Sequence, residues 1–327
     1  MSRPDDHRVA IIGANGQFGK ELVKMFGSTL ENNAIPTTAF VHYECDVDDY
    51  PLQDLCIDVK AVDITDFDYV KEQINDFDIV INTAAYHDIN ACEENQGIAW
   101  NVNTHGSSNV AKRCERIGAE YVLISTDYVF GGKPPTNGEK DYSPEDFQNP
   151  INVYGKSKSA AEQAAHHYCR RSLVARCSYL YGEEKCRGKK SDNLIDWIYN
   201  SLINGETINA WDNTAITLTY AYQAAGRLIG RLFNDNFSNR DRKYIHLNDS
   251  GIVSHYDVAM FMAELLNIEN SDIVPTECKH SIKPLKTPLQ PINGSAEWKW
   301  SLVQYLTFKG WYHKDEVSGS NYAGYAY

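Results

Sequence analysis

Three side chains in the middle of the sequence could together act on a carbonyl group. The apolar run Tyr121–Ile124 is predicted to be a strand and leads to Thr126. A helix over residues 153–165 would place Tyr154 and Lys158 on one face, because they are four residues apart. A free phenol has a pKa near ~10, and a neighbouring ammonium lowers it toward the working range. With a threonine hydroxyl on the same substrate oxygen, these groups suit hydride transfer to or from a carbonyl.

The Tyr-x-x-x-Lys pattern alone also fits an ordinary helix turn with a solvated lysine, so the start of the chain matters. Val9–Ile12 is predicted to be a buried parallel strand, and Gly13, Gly16 and Gly19 follow it at a spacing of three. Such a turn lets the backbone approach a pyrophosphate, which then rests on the amide hydrogens at the start of a helix. A purely structural turn is the alternative.

Strands and helices alternate along the chain, which predicts a parallel sheet covered on both faces. The predicted strands are 9–12, 62–66 (its end), 79–82, 121–125, 173–176 and 244–247, and the predicted helices are about 101–116, 153–165, 193–202, 220–233 and 255–266. The predicted fold class is α/β, a Rossmann doubly wound parallel sheet with a smaller C-terminal α/β substrate-binding lobe. Ligands bind such sheets at the strands' carboxyl ends, where we expect Gly13, Asn82, Thr126 and Cys177.

These elements divide the chain into two predicted units. Residues 1–182 form the dinucleotide-binding domain, completed by about 218–250, and residues 183–217 and 251–316 form the substrate-binding lobe. Residues 130–150 are rich in Gly, Pro and acidic side chains, and cross the substrate mouth or form a surface excursion. Residues 317–327 are predicted to be a disordered tail.

The sequence leaves the choice between NADH and NADPH open. Residues 37–41, where a ribose-reading residue is expected, contain neither an acid nor an arginine. Asp63 could accept a hydrogen bond from an adenine amino group, although a helix start capped by Thr65 or Asp66 is an equal alternative. Acidic residues that come slightly late argue against a 2′-phosphate: Glu44, Asp46, Asp48 and Asp49.

Composition narrows the class of partner. The formal charge of -13 argues against nucleic acid or an anionic membrane as the main partner. No apolar run approaches the ~18 residues of a membrane span, and the polar first eight residues do not fit a secretory peptide. The eight cysteines lack a C-x-x-C pair, which favours free thiols in a reducing cytoplasm over disulfides or a zinc site. One basic cluster could bind a diphosphate or simply be a solvated loop: Lys185, Arg187, Lys189 and Lys190.

Taken together, the motifs resemble the extended short-chain dehydrogenase/reductase superfamily, and specifically the dTDP-4-dehydrorhamnose reductases. The resemblance covers about residues 9–182. It is carried by five motifs in family order: Gly13-Ala14-Asn15-Gly16-Gln17-Phe18-Gly19, Asp63-Ile64-Thr65-Asp66, Asn82-Thr83-Ala84-Ala85-Tyr86, Ser125-Thr126-Asp127-Tyr128-Val129-Phe130 and Asn152-Val153-Tyr154-Gly155-Lys156-Ser157-Lys158.

The resemblance implies an NADPH or NADH cofactor and a nucleotide-sugar substrate, an NDP-4-keto-6-deoxysugar whose C4 carbonyl takes the hydride. Tyr154 would donate the proton, Lys158 would lower its pKa and hold the nicotinamide ribose, and Thr126 would orient the carbonyl oxygen. The expected cofactor-binding residues are Gly13, Asn15, Gly16, Gln17, Phe18, Gly19, Asp63, Ile64, Ala84, Ala85, Tyr86, Asn103, Tyr154, Lys158 and Cys177. The expected substrate-binding residues are Asp127, Tyr128, Tyr179 and Asn193.

Departures from the family pattern bear on the substrate. Related dehydratases have an aspartate and a glutamate after the threonine, whereas this chain has Asp127 and Tyr128, which favours a plain reductase. Tyr179 replaces a family tryptophan, which changes an aromatic platform. The family's later segments are altered as well, surviving as Asp212-Asn213, as Thr219 without its proline, and as Lys283-Pro284 or Thr287-Pro288. The identity of the sugar and base therefore stays open.

Two other functions fit the same resemblance. A non-catalytic regulatory subunit that binds a dinucleotide, like the beta subunit of methionine adenosyltransferase, is suggested by the altered substrate lobe and the tyrosine-bearing tail. An NDP-sugar epimerase would use the same tyrosine and retain its cofactor. A homodimer is left open, and no metal ligands can be matched.

Overall fold

The computed structural model describes residues 7–28, 35–43, 58–132, 141–182, 193–233, 243–269, 271–279 and 282–313. The strands are β1 (Val9–Ile12), β2 (Thr37–Val41), β3 (Asp58–Ala61), β4 (Ile79–Asn82), β5 (Glu120–Thr126), β6 (Ser172–Cys177), β7 (Leu180–Tyr181), β8 (Ile208–Trp211), β9 (Thr219–Tyr220), β10 (Tyr244–His246) and β11 (Ile273–Thr276). The α-helices are α1 (Gln17–Ser28), α2 (Phe67–Gln73), α3 (Ile89–Glu94), α4 (Gln96–Ala99), α5 (Ser107–Ile117), α6 (Val153–Tyr168), α7 (Leu194–Ile203), α8 (Ala221–Phe233), α9 (His255–Leu265) and α10 (Trp298–Phe308).

Seven parallel strands form the central sheet, in the order β10-β6-β5-β4-β1-β2-β3. Strand β1 pairs with β2 on one side and with β4 on the other, so the direction of winding reverses between β1 and β4. Ligands bind doubly wound sheets outside the carboxyl ends of the strands at this reversal. The predicted α/β fold class is confirmed, and a ligand is expected at the carboxyl ends of the strands, where the sequence predicts the site.

Helices cover both faces of the sheet because the strands are apolar on both sides. On one face Leu22 and Phe26 of α1 pack with Leu228 of α8, and on the other Val110 of α5 packs with Ala161 of α6. All five side chains are essentially inaccessible to solvent. Full burial of a leucine, phenylalanine or valine side chain typically contributes ~1.5–3 kcal/mol to the free energy of unfolding. The two helical layers therefore hold the strands, and with them the strand ends, in fixed positions.

A second apolar core lies in the C-terminal half. It is built from α7, α9 and α10 around the two-stranded parallel sheet of β8 and β11. The predicted boundaries of the substrate-binding lobe stay a prediction, although a separate core in this part of the chain is what they require. No helix among the described residues is long and apolar enough to cross a membrane.

Several local predictions are refined by the structure. The helix predicted over 153–165 extends to Tyr168, and the stretch predicted over 101–116 contains a π-helical segment, Trp100–Gly106. The strand predicted to end at 62–66 ends at Ala61, because Asp66 instead caps α2 by accepting from two backbone N–H groups. Other predicted features lie outside the described residues: the acids at 44–49, the basic cluster at 185–190 and the tail 317–327.

Candidate active site

The glycine turn after β1 is pressed against the loop after β4. Gly13 has φ +77°, and a Cβ at this position would lie 2.7 Å from the backbone nitrogen of Ala84. The Gly16 N–H donates to the Gly13 carbonyl at 2.9 Å, and α1 begins at Gln17. The turn therefore brings the start of α1 to the carboxyl ends of the strands, an arrangement that can hold a phosphate.

A cleft of about 740 Å³ runs along these strand ends. It brings together most of the residues predicted from the sequence: Gly13, Asn15, Gly16, Gln17, Phe18, Asp63, Ile64, Ala84, Ala85, Thr126, Asp127, Tyr128, Tyr154, Lys158, Cys177 and Tyr179. A volume of this size is ordinary for a small-molecule or cofactor site. One continuous cavity thus joins the glycine turn to the Tyr-x-x-x-Lys helix.

Four predicted site residues do not line this cleft. Gly19 lies against the backbone of the glycine turn, where a side chain would not fit. The fully buried Asn103 exchanges hydrogen bonds of 2.8 and 2.9 Å with the backbone of Tyr86, so both residues shape the loop after β4. Asn193 caps α7 by accepting from the Asp196 N–H at 2.9 Å.

At one end of the cleft, Asp63 is held by its neighbours. Its Oδ1 accepts from the backbone N–H of Thr65 at 2.9 Å and from the Thr65 hydroxyl at 2.8 Å. Its Oδ2 lies 3.9 Å from Nε2 of His42, which follows β2 and also lines the cleft together with Tyr43. His42 and Tyr43 were missed by the sequence analysis, which looked only for an acid or an arginine at the end of β2.

At the other end, Thr126, Tyr154 and Lys158 meet as predicted. The Lys158 ammonium is buried and donates to the Ile124 carbonyl at 2.7 Å. Burial lowers the pKa of Lys158 to about 8, and the charge of Glu162 opposes this shift. Burial also raises the pKa of Tyr154, against a hydrogen bond with Thr126 that lowers it. The sequence predicts that Lys158 lowers the pKa of this phenol, whereas burial raises it in this structure.

A buried ion pair fixes α6 against the sheet. Glu162, two turns after Tyr154, pairs with Arg176 of β6 through N–H···O distances of 2.7 and 3.0 Å, and both side chains are almost fully buried. The Ser125 hydroxyl donates to the same carboxylate at 2.5 Å. The ion pair therefore ties the helix that carries Tyr154 to β6, and the Ser125 hydroxyl ties it to β5, the strand that carries Thr126.

The carboxyl group of Asp127 follows Thr126 and accepts hydrogen bonds from three hydroxyl groups. Thr126 donates to its Oδ1 at 3.1 Å, while Ser178 and Thr287 donate to its Oδ2 at 3.0 and 2.5 Å. Its side chain is 2% exposed, and burial raises the pKa of Asp127 to about 6 although the three hydroxyls favour the ionised form. A carboxyl group whose change of charge falls near neutral pH thus adjoins Thr126.

Part of the cleft is lined by aromatic side chains, Tyr128, Tyr154 and Tyr179. The ring of Tyr128 meets that of Tyr154 edge-on at 6.0 Å, and Tyr128 is hydrogen-bonded to Tyr179. Tyr179 has φ +35°, an unusual conformation for a non-glycine residue, and its ring contacts His255 at 5.0 Å. Aromatic faces with phenol hydroxyls suit sugars and bases, which present apolar faces and hydroxyl groups.

A segment from the C-terminal half, residues 282–290, contacts Asn152 and Asp127 of the N-terminal half. The Asn152 side chain caps α6 by accepting from the Gly155 N–H at 2.7 Å and donates to the Ile282 carbonyl at 2.8 Å. Thr287 reaches Asp127, as described above, and its N–H donates to the Ala215 carbonyl at 3.0 Å. Lys283 lies 5.3 Å from the centre of the Trp211 ring. Thr287, which belongs to one of the segments that depart from the family pattern, therefore lies at the site.

A doubly wound sheet with a glycine turn after β1, and with Thr126, Tyr154 and Lys158 converging on one cleft, defines an extended short-chain dehydrogenase/reductase, as the sequence predicts. The model of one family in this class, described as the RmlD substrate binding domain, matches residues 7–303. The chain belongs to this family. Among the described residues, no group of three or more His, Cys, Asp or Glu could hold a metal ion.

Relatives in sequence include several reductases. A probable low-salt glycan biosynthesis reductase, Agl14 of Haloferax volcanii, is 32% identical over 219 residues, which cover 66% of this chain and 67% of that protein. The dTDP-4-dehydrorhamnose reductase of Mycobacterium tuberculosis is 26% identical over 249 residues, covering 76% and 78%. Methionine adenosyltransferase 2 subunit beta of Danio rerio is 26% identical over 215 residues, covering 65% and 64%.

Solved structures agree on the fold. The dTDP-4-dehydrorhamnose reductase of Bacillus anthracis, in complex with NADP, has a TM-score of 0.74 with 24% identity and covers 94% of this chain and 99% of its own. WbmG of Bordetella bronchiseptica, in complex with NAD, has a TM-score of 0.75 with 17% identity and covers 94% of both chains.

Proposed function

We propose that the protein is an NAD(P)H-dependent reductase that acts on the C4 carbonyl of an NDP-4-keto-6-deoxysugar. The observation that carries this proposal is the single cleft that joins the glycine turn to Thr126, Tyr154 and Lys158. An NAD(P)-dependent oxidoreductase of this kind agrees with the reductases among the relatives.

The residues present fit a dinucleotide. At Gly13 the backbone leaves no room for a Cβ, and the N–H groups at the start of α1 face the cleft, so a pyrophosphate would rest there. Lys158 would hold the nicotinamide ribose, and His42 and Asp63 would flank the adenosine end. When bound, the reduced nicotinamide supplies a hydride. Because an imidazole and a carboxylate both face the adenosine end, neither NADPH nor NADH is favoured.

Residues of the chain itself supply the proton that the carbonyl oxygen needs. Tyr154 donates its phenol proton to the carbonyl oxygen as negative charge develops there. Burial disfavours the resulting phenolate, and the Lys158 ammonium, fixed on the Ile124 carbonyl, offsets that cost when it is charged. Thr126 orients the same oxygen through its hydroxyl. Each group thus acts on the substrate oxygen, directly or through its neighbour.

The proposed substrate class is argued from Tyr128 and Tyr179, two aromatic side chains that line the cleft. Tyr128 stands where a dehydratase has its second carboxylic acid, which leaves reduction without elimination. Tyr179 and Tyr128 offer aromatic and hydroxyl contacts to the sugar or its base. The sugar and the base stay open, and a cytoplasmic location and a possible homodimer stay predictions.

The direct test uses purified protein with a dTDP-4-keto-6-deoxyhexose and NADPH or NADH, followed by the loss of absorbance of the reduced nicotinamide. Tyr154→Phe should lower kcat by a factor on the order of 10² or more. Dinucleotide affinity, measured by fluorescence titration, should hardly change. No turnover with any such sugar nucleotide would remove this substrate class, and an unchanged kcat in the variant would show that Tyr154 is not the acid.

A second candidate is a dinucleotide-binding regulatory subunit, which the similarity to methionine adenosyltransferase 2 subunit beta favours. This function predicts co-purification with a partner enzyme and no turnover with nucleotide sugars. A sugar-nucleotide epimerase would instead retain tightly bound NAD through purification. The reductase is preferred because Thr126, Tyr154 and Lys158 are all in place, which a binding subunit does not need.

A further inference from the structure

The hydroxyl of Thr126 has one proton and more than one acceptor. Its oxygen already accepts from the Tyr128 N–H at 3.2 Å, and its hydroxyl can donate to Asp127 Oδ1 at 3.1 Å or to the Tyr154 phenol. A carbonyl oxygen can only accept hydrogen bonds, so Thr126 must donate its proton to orient a substrate there. Donation to Asp127 and donation to the substrate are therefore alternatives.

The state of Asp127 decides between these alternatives. An ionised carboxylate is the stronger acceptor and draws the Thr126 proton toward itself, whereas a neutral carboxyl releases it. The charge of Asp127 also opposes ionisation of Tyr154. Both effects act in the same direction, since each makes proton donation to the substrate oxygen easier when Asp127 is neutral.

Thr287 sets how easily Asp127 becomes neutral. It is fully buried and donates to Oδ2 at 2.5 Å from a segment 160 residues along the chain, and Ser178 donates to the same oxygen. Hydrogen bonds to the ionised form stabilise that form. Loss of either hydroxyl should shift Asp127 toward its neutral form at a given pH.

Resting on the proposed carbonyl reduction, we propose that Asp127 is a positioning residue: its ionised form holds the Thr126 hydroxyl away from the substrate oxygen, its neutral form releases it, and Thr287 sets the balance. The bound dihydronicotinamide would still supply the hydride, and Tyr154 would still supply the proton. Asp127 itself transfers nothing.

The phenols and the thiol that face Asp127 do not change charge in the pH range in which Asp127 does. Burial raises the pKa of Cys177 to about 12, and it raises those of Tyr128, Tyr154 and Tyr179 above their usual value. Lys158, at the other side of Thr126, has a pKa lowered to about 8. An acid-side change in rate can thus be told apart from an alkaline one.

The kinetic test compares kcat for the reduction between pH 5 and 9. The wild type should lose rate as pH rises through the titration of Asp127, by up to about tenfold, the worth of one hydrogen bond. Thr287→Val should move this limb upward by about one pH unit, Ser178→Ala should move it the same way, and Thr287→Ser should restore it. Dinucleotide affinity should stay unchanged in all three variants.

A second test needs no turnover. The free energy of unfolding, from urea titrations, should fall more in Thr287→Val at pH 7.5 than at pH 5, because the lost hydroxyl stabilises only the ionised carboxylate. A loss of equal size at both pH values would overturn the coupling of Thr287 to Asp127. If the wild type reduces the sugar nucleotide but Thr287→Val leaves the limb in place, the inference fails while the proposed function stands.

Discussion

Gly155 lets the helix that carries Tyr154 lie directly against the backbone of Tyr128. A Cβ at Gly155 would lie 3.0 Å from the Tyr128 carbonyl carbon and from Cβ of Pro150, and closer still to the Tyr128 oxygen. Gly155 is buried in the first turn of α6, which Asn152 caps. The substitution Gly155→Ala therefore tests how tightly Tyr154 must be placed.

The size of the effect follows from these distances. Ordinary carbon contacts lie at about 3.5–4.0 Å, so the start of α6 must move by about 1 Å to accept the methyl group. A misplacement of ~1 Å can reduce a rate by roughly 10². Overpacking of this kind also costs about 1–3 kcal/mol in the free energy of unfolding. We therefore expect kcat to fall roughly a hundredfold while the protein still folds.

The assay measures kcat for the sugar nucleotide beside urea unfolding and dinucleotide titration. The matched control is Gly97→Ala, since Gly97 lies in helix α4 and a methyl group added there would have no neighbouring atom within 4 Å. The control should keep full kcat and gain up to ~1 kcal/mol. Wild-type kcat in Gly155→Ala would falsify the claim that close contact between α6 and Tyr128 positions the phenol.

Three further changes have defined outcomes. Glu162→Gln leaves the buried guanidinium of Arg176 without its counter-charge, so the free energy of unfolding should fall by about 3–5 kcal/mol in urea titrations. Gly13→Ala should weaken NADPH binding at least tenfold by fluorescence titration, because the methyl group meets the loop after β4 and φ is positive. Burial lowers the pKa of His246 to about 3. Stability should therefore be lost as pH falls from about 6.5 toward 3, since only the unfolded imidazole takes up a proton there.

Each of these predictions has a result that would contradict it. A loss below ~1 kcal/mol in Glu162→Gln would mean that water reaches Arg176 in solution. Unaltered NADPH affinity in Gly13→Ala, with the fold intact by circular dichroism, would place the pyrophosphate elsewhere. His246→Gln should flatten the acid loss of stability, and an identical pH profile would assign that loss to other groups.

Features that depend on spacing within one element were predictable from the sequence. The turn at Gly13 and the shared face of Tyr154 and Lys158 follow from local geometry, and both are confirmed. The order of strands and helices likewise predicted the parallel sheet. Each of these features needs only neighbours along the chain.

Features that depend on distant partners were not predictable. The pairing of Glu162 with Arg176 and the hydrogen bond from Thr287 to Asp127 join separate elements, and no periodicity reports them. The pKa of Tyr154 shows the same limit, because a rule about one neighbouring charge cannot anticipate how deeply the fold buries the phenol.

The return of residues 282–290 to the first catalytic strand has a consequence for biosynthesis. A ribosome releases the glycine turn, Thr126 and Tyr154 well before Thr287, so the emerging N-terminal part can form its sheet while the carboxyl of Asp127 still lacks its Thr287 donor. The third hydroxyl donor of Asp127 therefore arrives late, when residues 282–290 dock.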